Sequence, residues 1–230
     1  MKQLATSLFT ALFSALLALP AVPSFAATDA KPEVKTEAMA EAAKPAAVKF
    51  SKPDLVKGQA SFTAVCASCH GADGNSGTPA NPKLSQQHPE YLVKQLQEFK
   101  SGKRKNAIMA GFAGALSEED MRNIAYWATS QKAKPGFAKD KELVALGERI
   151  FRGGVQDRQI SACAGCHSPN GAGIPAQYPR LAGQHAEYVA TQLTSFRDGV
   201  RKNSTQMTQV AAKLNDREIR ALADYVAGLR

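Results

Sequence analysis

Cysteine is scarce in this chain, with four in 230 residues, and none of the four lies outside two short motifs. No spare cysteine is therefore left for a catalytic role. A strong strand signal is also lacking, since apolar residues recur at helical spacing rather than alternating. Acidic residues are outnumbered, with 20 Asp and Glu against 29 Lys and Arg, which gives a formal net charge of +9. The few cysteines, the lack of a strand signal and the shortage of acidic residues favour a basic, all-α protein whose chemistry is concentrated at the two cysteine motifs.

Both motifs have the form Cys-x-x-Cys-His, which is the attachment site of c-type haem. Two thioether bonds hold the porphyrin, and the adjacent histidine reaches the iron from one side. Two small disulfides, a thioredoxin-like thiol pair and a Cys/His zinc site are the alternatives. A zinc ribbon usually pairs its Cys-x-x-Cys units about 15–20 residues apart and needs no histidine after each one. The sequence therefore predicts two covalently bound haem c groups, held by Cys66, Cys69, Cys163 and Cys166, with His70 and His167 as iron ligands.

Residues 1–26 have the features of a secretory signal. Lys2 gives a positive start, Leu4–Leu19 is an uncharged apolar stretch, and cleavage fits best after Ala26. An uncleaved anchor is the alternative, because the apolar stretch is only slightly shorter than the roughly 18 residues of a membrane span. Residues 27–50 are rich in Ala, Lys, Glu and Pro, and such a composition predicts a flexible segment. Export agrees with the motifs, since c-type haem is attached outside the cytoplasmic membrane in bacteria.

The rest of the chain is an internal duplication. Residues 82–106 match the residues 97 positions further on, and one extra residue then changes the offset to 98. A repeat of this clarity defines the architecture before any helix is assigned. Lys134-Pro135-Gly136 breaks helix between the copies. We therefore predict one domain over residues 51–131, a linker over 132–139 and a second domain over 140–230.

Each copy is predicted to contain a first helix with a glycine and an aromatic residue on one face, a middle helix, and a last helix with an N-cap. The glycine lets the last helix cross the first one closely. The marker residues in the two copies are, in order, Gly58 and Gly147, Phe62 and Phe151, Pro89 and Ala186 at the middle-helix starts, and Ser117 and Asn215 as N-caps.

A six-coordinate haem iron needs a second axial ligand, and methionine is the leading candidate. Met109 follows His70 by 39 residues and Met207 follows His167 by 40, each in a segment between the middle and last helices. A loop there could carry the thioether sulfur over the distal face of the haem, and His/Met ligation raises the reduction potential. The alternative is that both methionines only fill gaps in the packing.

His88 and His185 are the rival axial ligands, and a bis-His haem would have a lower potential and suit a different redox partner. Each of these histidines directly precedes a helix start, at Pro89 or Ala186. Capping of that helix, or contact with the edge of the haem, therefore explains them as well.

The motif histidines also need orientation, because a ligating imidazole usually donates its other N–H to a carbonyl or a carboxylate. Pro82 and Pro179 each lie 12 residues past a motif histidine, at matched positions of the repeat. Proline stiffens that turn, and its carbonyl has no obligatory helical partner. We predict that these two carbonyls hold His70 and His167, with a plain turn proline as the alternative.

These features resemble the dihaem cytochrome c4 family. The resemblance covers residues 53–230 and is carried by the two motifs, the Pro-Lys/Arg-Leu turns, the segments Gln87–Tyr91 and Gln184–Tyr188, and the two methionines. It implies an all-α fold of two tandem class I cytochrome c-type domains, each wrapped around a covalent haem, with the haem edges facing one another across a pseudo-twofold interface. It also implies a periplasmic carrier that takes electrons from the quinol-oxidising complex of a respiratory chain to a terminal oxidase. The segment 27–50 departs from the expected pattern; it could hold the protein near the membrane or reflect only lineage drift.

The predicted function is single-electron transfer, without catalysis and without a small-molecule substrate. A dihaem enzyme would need an open iron site, whereas both copies offer a methionine ligand. An electron-accepting subunit of a flavoprotein dehydrogenase would have the same fold and ligands, so that alternative stays open. A basic cluster could steer the protein towards an acidic redox partner, or could simply be a solvated surface. Its members are Lys100, Lys103, Arg104 and Lys105. Nucleic acid is not expected as a partner, because an exported haem protein does not meet it routinely.

Overall fold

The computed structural model describes residues 52–230, so the predicted signal (1–26) and flexible segment (27–50) lie outside the described residues. Within that range the chain forms α-helices and one turn of 3₁₀ helix, Gln156–Arg158. Extended pairing there is limited to two isolated bridges, Val155 with Ile160 and Ile174 with Tyr178, which confirms the predicted all-α architecture. None of the helices in this part of the chain is long and apolar enough to cross a membrane.

The helices occur in the same order in two successive halves. The first half contains α1 (Leu55–Val65), α2 (Ala67–His70), α3 (Pro89–Lys100), α4 (Ala107–Gly114) and α5 (Glu118–Ser130). The second half contains α6 (Lys141–Gly153), α7 (Ala164–His167), α8 (Ala186–Arg197), α9 (Thr205–Ala211) and α10 (Asp216–Gly228). The middle helices α3 and α8 begin at the residues that the sequence predicted.

The first and last helices of each half cross at a glycine, as the sequence also predicted. A Cβ atom on Gly58 would lie 2.2 Å from the carbonyl oxygen of Asn123 in α5. A Cβ atom on Gly147 would lie 2.1 Å from the carbonyl oxygen of Ala221 in α10. Both distances are far shorter than a van der Waals contact, so any side chain would force the helices apart.

An aromatic pair packs beside each crossing. The ring centroids of Phe62 and Trp127 are 4.7 Å apart, and those of Phe151 and Tyr225 are 5.4 Å apart. Tilted pairs at this distance stabilise a core beyond the apolar area that they bury. The predicted apolar faces of the last helices are buried around them: Met121, Ile124, Ala125 and Ala128 in α5, and Ile219, Leu222, Ala223 and Val226 in α10.

Reciprocal capping fixes the residue at which each last helix begins. The Ser117 hydroxyl accepts from the Asp120 N–H at 3.1 Å, and the Asp120 carboxylate accepts from the Ser117 N–H at 3.2 Å. Asn215 and Glu218 form the same arrangement at 3.0 and 2.9 Å. Two otherwise unpaired backbone donors are satisfied in each case, which confirms both predicted N-caps.

The segment between the halves is tied down at both of its ends. The Asn75 side chain donates to the Lys132 carbonyl at 2.9 Å and accepts from the Lys134 N–H at 2.7 Å. At the other end, the buried Asp224 carboxylate accepts from the Lys139 N–H at 2.9 Å and from the Asp140 N–H at 2.9 Å. The segment therefore follows a defined path between α5 and α6.

The contact between the halves is polar and reciprocal. Arg104 and Arg201 occupy matched positions of the repeat, and both are buried. Arg104 donates to the Tyr188 hydroxyl at 3.0 Å, and Arg201 donates to the Tyr91 hydroxyl at 3.2 Å. Each arginine also donates to the glutamine side chains of both halves, Gln95 and Gln192. A buried guanidinium is costly to desolvate unless its donors are paired, so this network holds the two halves in one arrangement.

We expect Gly147→Ala to destabilise the protein by about 1–3 kcal/mol, because the new methyl group would have to push α10 away from α6. Chemical denaturation of the haem-loaded protein, followed by the helical circular dichroism signal, measures the change. Gly153→Ala in the same helix is the matched control, since a Cβ there meets nothing within 4 Å. Equal unfolding free energies for the two variants would contradict a close helix crossing.

Candidate functional site

Each Cys-x-x-Cys-His motif ends in a short helix. In the first half only Cys66 separates this helix from α1, whereas in the second half the 3₁₀ turn Gln156–Arg158 and its flanking residues lie between α6 and α7. Helix α2 ends at His70 and helix α7 ends at His167. Four residues make little more than one turn, so the two cysteines and the histidine of a motif lie close together. In each motif the first cysteine is half-buried, the second is exposed and the histidine is buried. Each half therefore presents two thiols and one imidazole at a single place.

The structure gives little support to the other interpretations of the motifs. None of the four cysteines is paired with another in a disulfide bond. Across residues 52–230, no group of three or more His, Cys, Asp or Glu side chains is arranged to hold a metal ion. Burial raises the pKa of Cys66 to about 11, and burial likewise raises that of Cys163 to about 11. A thioredoxin-like thiol has a lowered pKa instead.

The side chain of each motif histidine is held by a proline carbonyl. The Nδ1 atom of His70 lies 2.9 Å from the carbonyl oxygen of Pro82, and Nδ1 of His167 lies 2.9 Å from that of Pro179. A carbonyl oxygen can only accept, so Nδ1 carries the proton in both rings. The Nε2 lone pair is then left free on each imidazole, which is what a metal ion requires.

Both motif histidines are kept neutral by their surroundings. Burial lowers the pKa of His70 and of His167, and the hydrogen bonds to Pro82 and Pro179 oppose this lowering only in part. A neutral imidazole with its Nδ1–H engaged is the form in which histidine ligates a metal. The residues present in each half, two adjacent thiols and one such imidazole, thus fit the covalent attachment and ligation of haem c.

Hydrogen bonds within each half fix the proline turns. The Leu84 N–H donates to the Gly74 carbonyl at 2.7 Å, and the Leu181 N–H donates to the Gly171 carbonyl at 2.8 Å. Gly74 and Gly171 have φ values of 71° and 68°, which glycine adopts without strain. The loop after each histidine therefore returns to it in the same way in both halves.

Met109 and Met207 lie on short helices rather than on loops, so the predicted loop is wrong. Met109 is the third residue of α4 and Met207 the third residue of α9. Asn106 and Ser204 cap these helices, and each side chain accepts from the backbone N–H of the following methionine, at 2.9 and 3.4 Å. The polar residues that indicated a loop act as N-caps instead. The two methionines nevertheless occupy the same position in the two halves.

His88 and His185 reach across to the other half of the molecule. Nε2 of His88 lies 2.9 Å from the carbonyl oxygen of Ala172, and Nε2 of His185 lies 2.8 Å from that of Ser76. Because carbonyl oxygens only accept, Nε2 is a donor in both rings and has no lone pair to offer. Both histidines thus contribute to the contact between the halves.

Arg104 does not belong to a basic surface cluster, and the predicted four-residue patch is wrong in this respect. Its side chain is buried between the halves, where it reaches Tyr188 and Gln192. The three lysines of the cluster, Lys100, Lys103 and Lys105, are exposed. Sequence proximity grouped the four residues, but the long-range partners of Arg104 decide where its side chain lies.

Sequence reasoning assigned no role to two glutamines that the structure makes prominent. Gln87 and Gln184 lie directly before His88 and His185, and both are buried. Each contacts the residue that follows the histidine-holding proline of the other half, Arg180 for Gln87 and Lys83 for Gln184. Their matched positions in the repeat were a signal, but nothing local indicates a partner about 100 residues away.

The two sites differ in the residue before the proline. Tyr178 lies with its ring centroid 6.0 Å from that of His167, in an edge-on arrangement. The matched residue in the first half is Asn81, whose side chain donates to the Cys69 carbonyl at 3.1 Å. The second site therefore has an aromatic neighbour where the first has an amide.

Comparison with known proteins agrees with this geometry. The family model for cytochrome c matches residues 55–132 and 144–230, one stretch in each half. Cytochrome c4 of Pseudomonas aeruginosa is 49% identical over 180 residues, which are 76% of this chain and 89% of that protein. The crystal structure of reduced recombinant cytochrome c4 from Pseudomonas stutzeri has a TM-score of 0.74 and 46% identity, covering 78% of this chain and all of that one. A thiosulfate dehydrogenase electron acceptor of Stutzerimonas stutzeri is 39% identical over 170 residues, 71% of this chain and 78% of that protein.

These similarities confirm the predicted fold of two tandem class I cytochrome c-type domains and the predicted pair of covalent haem c groups. They cover both halves of the chain, including both Cys-x-x-Cys-His motifs. From the repeated helical fold, the two motifs and the relatives, we conclude that the chain belongs to the cytochrome c4 family of dihaem electron-transfer proteins.

Proposed function

We propose that this protein is a periplasmic carrier that passes single electrons from the quinol-oxidising complex of a respiratory chain to a terminal oxidase. The observation that carries the proposal is the matched pair of sites. Each half presents a neutral imidazole with a free Nε2, and each half places a methionine at the same position of a short capped helix. Two irons with all six ligand positions filled could pass electrons but would have no open position to bind a substrate.

Within this proposal, His70 and Met109 would ligate the haem iron in the first half, and His167 and Met207 would ligate that in the second. Haem c supplies an iron that takes up and releases one electron, and a thioether ligand raises its potential. The engagement of Nε2 in His88 and His185 supports methionine over a bis-His arrangement. Cys66, Cys69, Cys163 and Cys166 provide the covalent attachment.

The protein's own residues keep the rearrangement during electron transfer small. Pro82 and Pro179 fix the orientation of the two imidazoles through their carbonyl oxygens. The caps Asn106 and Ser204 fix the backbone at the two methionines. A ligand set that is held in place before and after the iron changes charge costs little reorganisation, which is what a carrier needs.

Export and location belong to the same proposal. Residues 1–26 would direct the chain across the cytoplasmic membrane, and residues 27–50 would hold the carrier near the membrane surface, where both of its redox partners lie. The exposed Lys100, Lys103 and Lys105 would favour encounter with acidic partner surfaces. Neither nucleic acid nor a small-molecule substrate has a place in this function.

A second candidate function rests on a specific relative, the thiosulfate dehydrogenase electron acceptor of Stutzerimonas stutzeri. In that case the protein would accept electrons from a dehydrogenase, whether a flavoprotein or another kind of enzyme. It would not accept them from a quinol-oxidising complex. Addition of the purified protein to washed membranes of its native host separates the two. Quinol-driven oxygen uptake that rises with added protein supports the respiratory carrier. Reduction only by a co-purifying dehydrogenase and its substrate supports the second candidate.

We expect the reduced wild-type protein to show no spectral change with carbon monoxide, whereas Met109→Ala and Met207→Ala should each let it bind at one haem. Loss of the thioether opens the sixth position of that iron. Visible absorption spectra with and without carbon monoxide measure the change. Met121→Leu is the control, because Met121 is fully buried in the core and is not a proposed ligand. An unchanged spectrum in Met109→Ala or Met207→Ala would rule that methionine out as a ligand.

We expect the triple variant Lys100→Gln, Lys103→Gln, Lys105→Gln to be oxidised more slowly by hexacyanoferrate(III) at low ionic strength, by roughly two- to tenfold. The difference should shrink as salt is added, because exposed charges are screened. Stopped-flow absorption measures the rate. Replacement of Lys141, Lys202 and Lys213, which are also exposed, removes the same total charge elsewhere and serves as the control. Equal slowing in both triple variants would show that only net charge matters.

A further inference from the structure

One glutamine side chain of each half forms two hydrogen bonds with the backbone of the other half. Oε1 of Gln184 accepts from the Lys83 N–H at 2.9 Å, and its Nε2 donates to the Lys83 carbonyl at 3.0 Å. Oε1 of Gln87 accepts from the Arg180 N–H at 2.8 Å, and its Nε2 donates to the Arg180 carbonyl at 2.9 Å. Both glutamines are more than nine-tenths buried, at 8% and 9% exposure. The two pairs of hydrogen bonds are related by the repeat and run in opposite directions across the contact.

The N–H groups that these two glutamines bind belong to the same peptide groups whose carbonyls hold the motif histidines. The Lys83 N–H and the Pro82 carbonyl are the two ends of one peptide group, and that carbonyl accepts from Nδ1 of His70. A continuous chain of hydrogen bonds therefore runs from Gln184, through the Pro82–Lys83 peptide, to His70. The same chain runs from Gln87, through the Pro179–Arg180 peptide, to His167.

A peptide group transmits a change from one end to the other because its C–N bond has partial double-bond character. An acceptor on the N–H draws electron density towards the carbonyl oxygen, which then accepts more strongly. Hydrogen bonds in such chains strengthen one another, and they do so more where water is excluded. A stronger hydrogen bond from Nδ1–H gives the imidazole more anionic character and makes its Nε2 a stronger donor.

We propose that each half tunes the iron of the other half through this cross-domain relay, with Gln184 acting on the first iron and Gln87 on the second. The proposal rests on the proposed function, because it takes His70 and His167 as axial ligands. Hydrogen bonding to a ligating histidine is one of the levers that set a haem potential. A more strongly donating imidazole stabilises the oxidised iron, so each glutamine lowers the potential of the opposite haem.

The relay makes both potentials depend on the contact between the halves. A change that draws the halves apart would lengthen the glutamine hydrogen bonds, because these bonds join one half to the other. Arg104 and Arg201 also form hydrogen bonds across that contact, with tyrosine and glutamine partners that are not members of the relay. The two glutamines are thus positioning residues for the electron-transfer centres, and they act across the contact rather than within their own half.

The test compares Gln184→Leu and Gln87→Leu in the haem-loaded protein. Gln184→Leu should raise the potential of the haem attached to Cys66 and Cys69 and leave the other unchanged, and Gln87→Leu should do the reverse. An effect of about threefold in the reduction equilibrium corresponds to about 28 mV, at about 59 mV per tenfold for one electron. A redox titration followed by NMR separates the two irons through labelled methionine methyl groups, assigned with Met109→Leu and Met207→Leu.

A second readout reports the hydrogen bond itself and would not respond to a merely structural loss. In the reduced, ¹⁵N-histidine-labelled protein, the Nδ1–H proton signal of His70 should move upfield in Gln184→Leu, while that of His167 stays in place. Gln184→Glu keeps an acceptor for the Lys83 N–H, so the His70 signal should stay or move downfield. This variant also serves as the test if Gln184→Leu does not load haem.

Tyr188→Phe is the control for a loosened contact, since it removes a hydrogen bond from Arg104 and leaves the relay intact. The relay is overturned if Tyr188→Phe shifts the His70 signal as much as Gln184→Leu does, if each leucine variant shifts the haem of its own half, or if Gln184→Glu and Gln184→Leu move the His70 signal alike. A failure of the ligand assignment would be distinct, because the wild-type protein would then bind carbon monoxide or lack the signals of ligated methionine.

Discussion

The hydrogen bond from Nδ1 of each motif histidine to a proline carbonyl is the constraint on which the site depends. It fixes the tautomer, leaves Nε2 free and orients the ring, at 2.9 Å in both halves. Burial keeps the same imidazoles neutral, so geometry and protonation state favour the same ligand. The N–H of the peptide that supplies the carbonyl in turn donates a hydrogen bond to a glutamine of the opposite half. One interaction thus links the haem attachment motif, the proline turn and the contact between the halves.

The helices position the haem attachment motifs and the proline turns relative to one another. Gly58 and Gly147 let the first and last helices of each half touch backbone to backbone, and the first motif begins directly after one of these helices, at Cys66. The contact between the halves includes buried polar side chains that pair across it, among them Arg104 and Arg201. A polar contact of this kind defines one arrangement, because a shift would leave buried donors unpaired. Two sites held in one arrangement can exchange electrons at a fixed separation.

Much of this could be predicted from the sequence, because the signals involved are local or repeated. The Cys-x-x-Cys-His motifs, the caps Ser117 and Asn215 and the glycine crossings depend on neighbours within a few residues or on a pattern seen twice. The short helices of Met109 and Met207 were missed because Asn106 and Ser204 favour both loops and N-caps. The burial of Arg104 and the roles of Gln87 and Gln184 depend on partners about 100 residues away, and such contacts leave no mark on the adjoining sequence. The ligand set follows from the repeat and remains a proposal.

We propose that each iron is held by one histidine and one methionine. Near-infrared magnetic circular dichroism of the oxidised wild-type protein tests it most directly, because the sulfur-to-iron charge-transfer band differs from the band of a bis-histidine haem. We expect both irons to show the low-spin signature of histidine and methionine ligation. A bis-histidine band, or a high-spin signal from either iron, would contradict it.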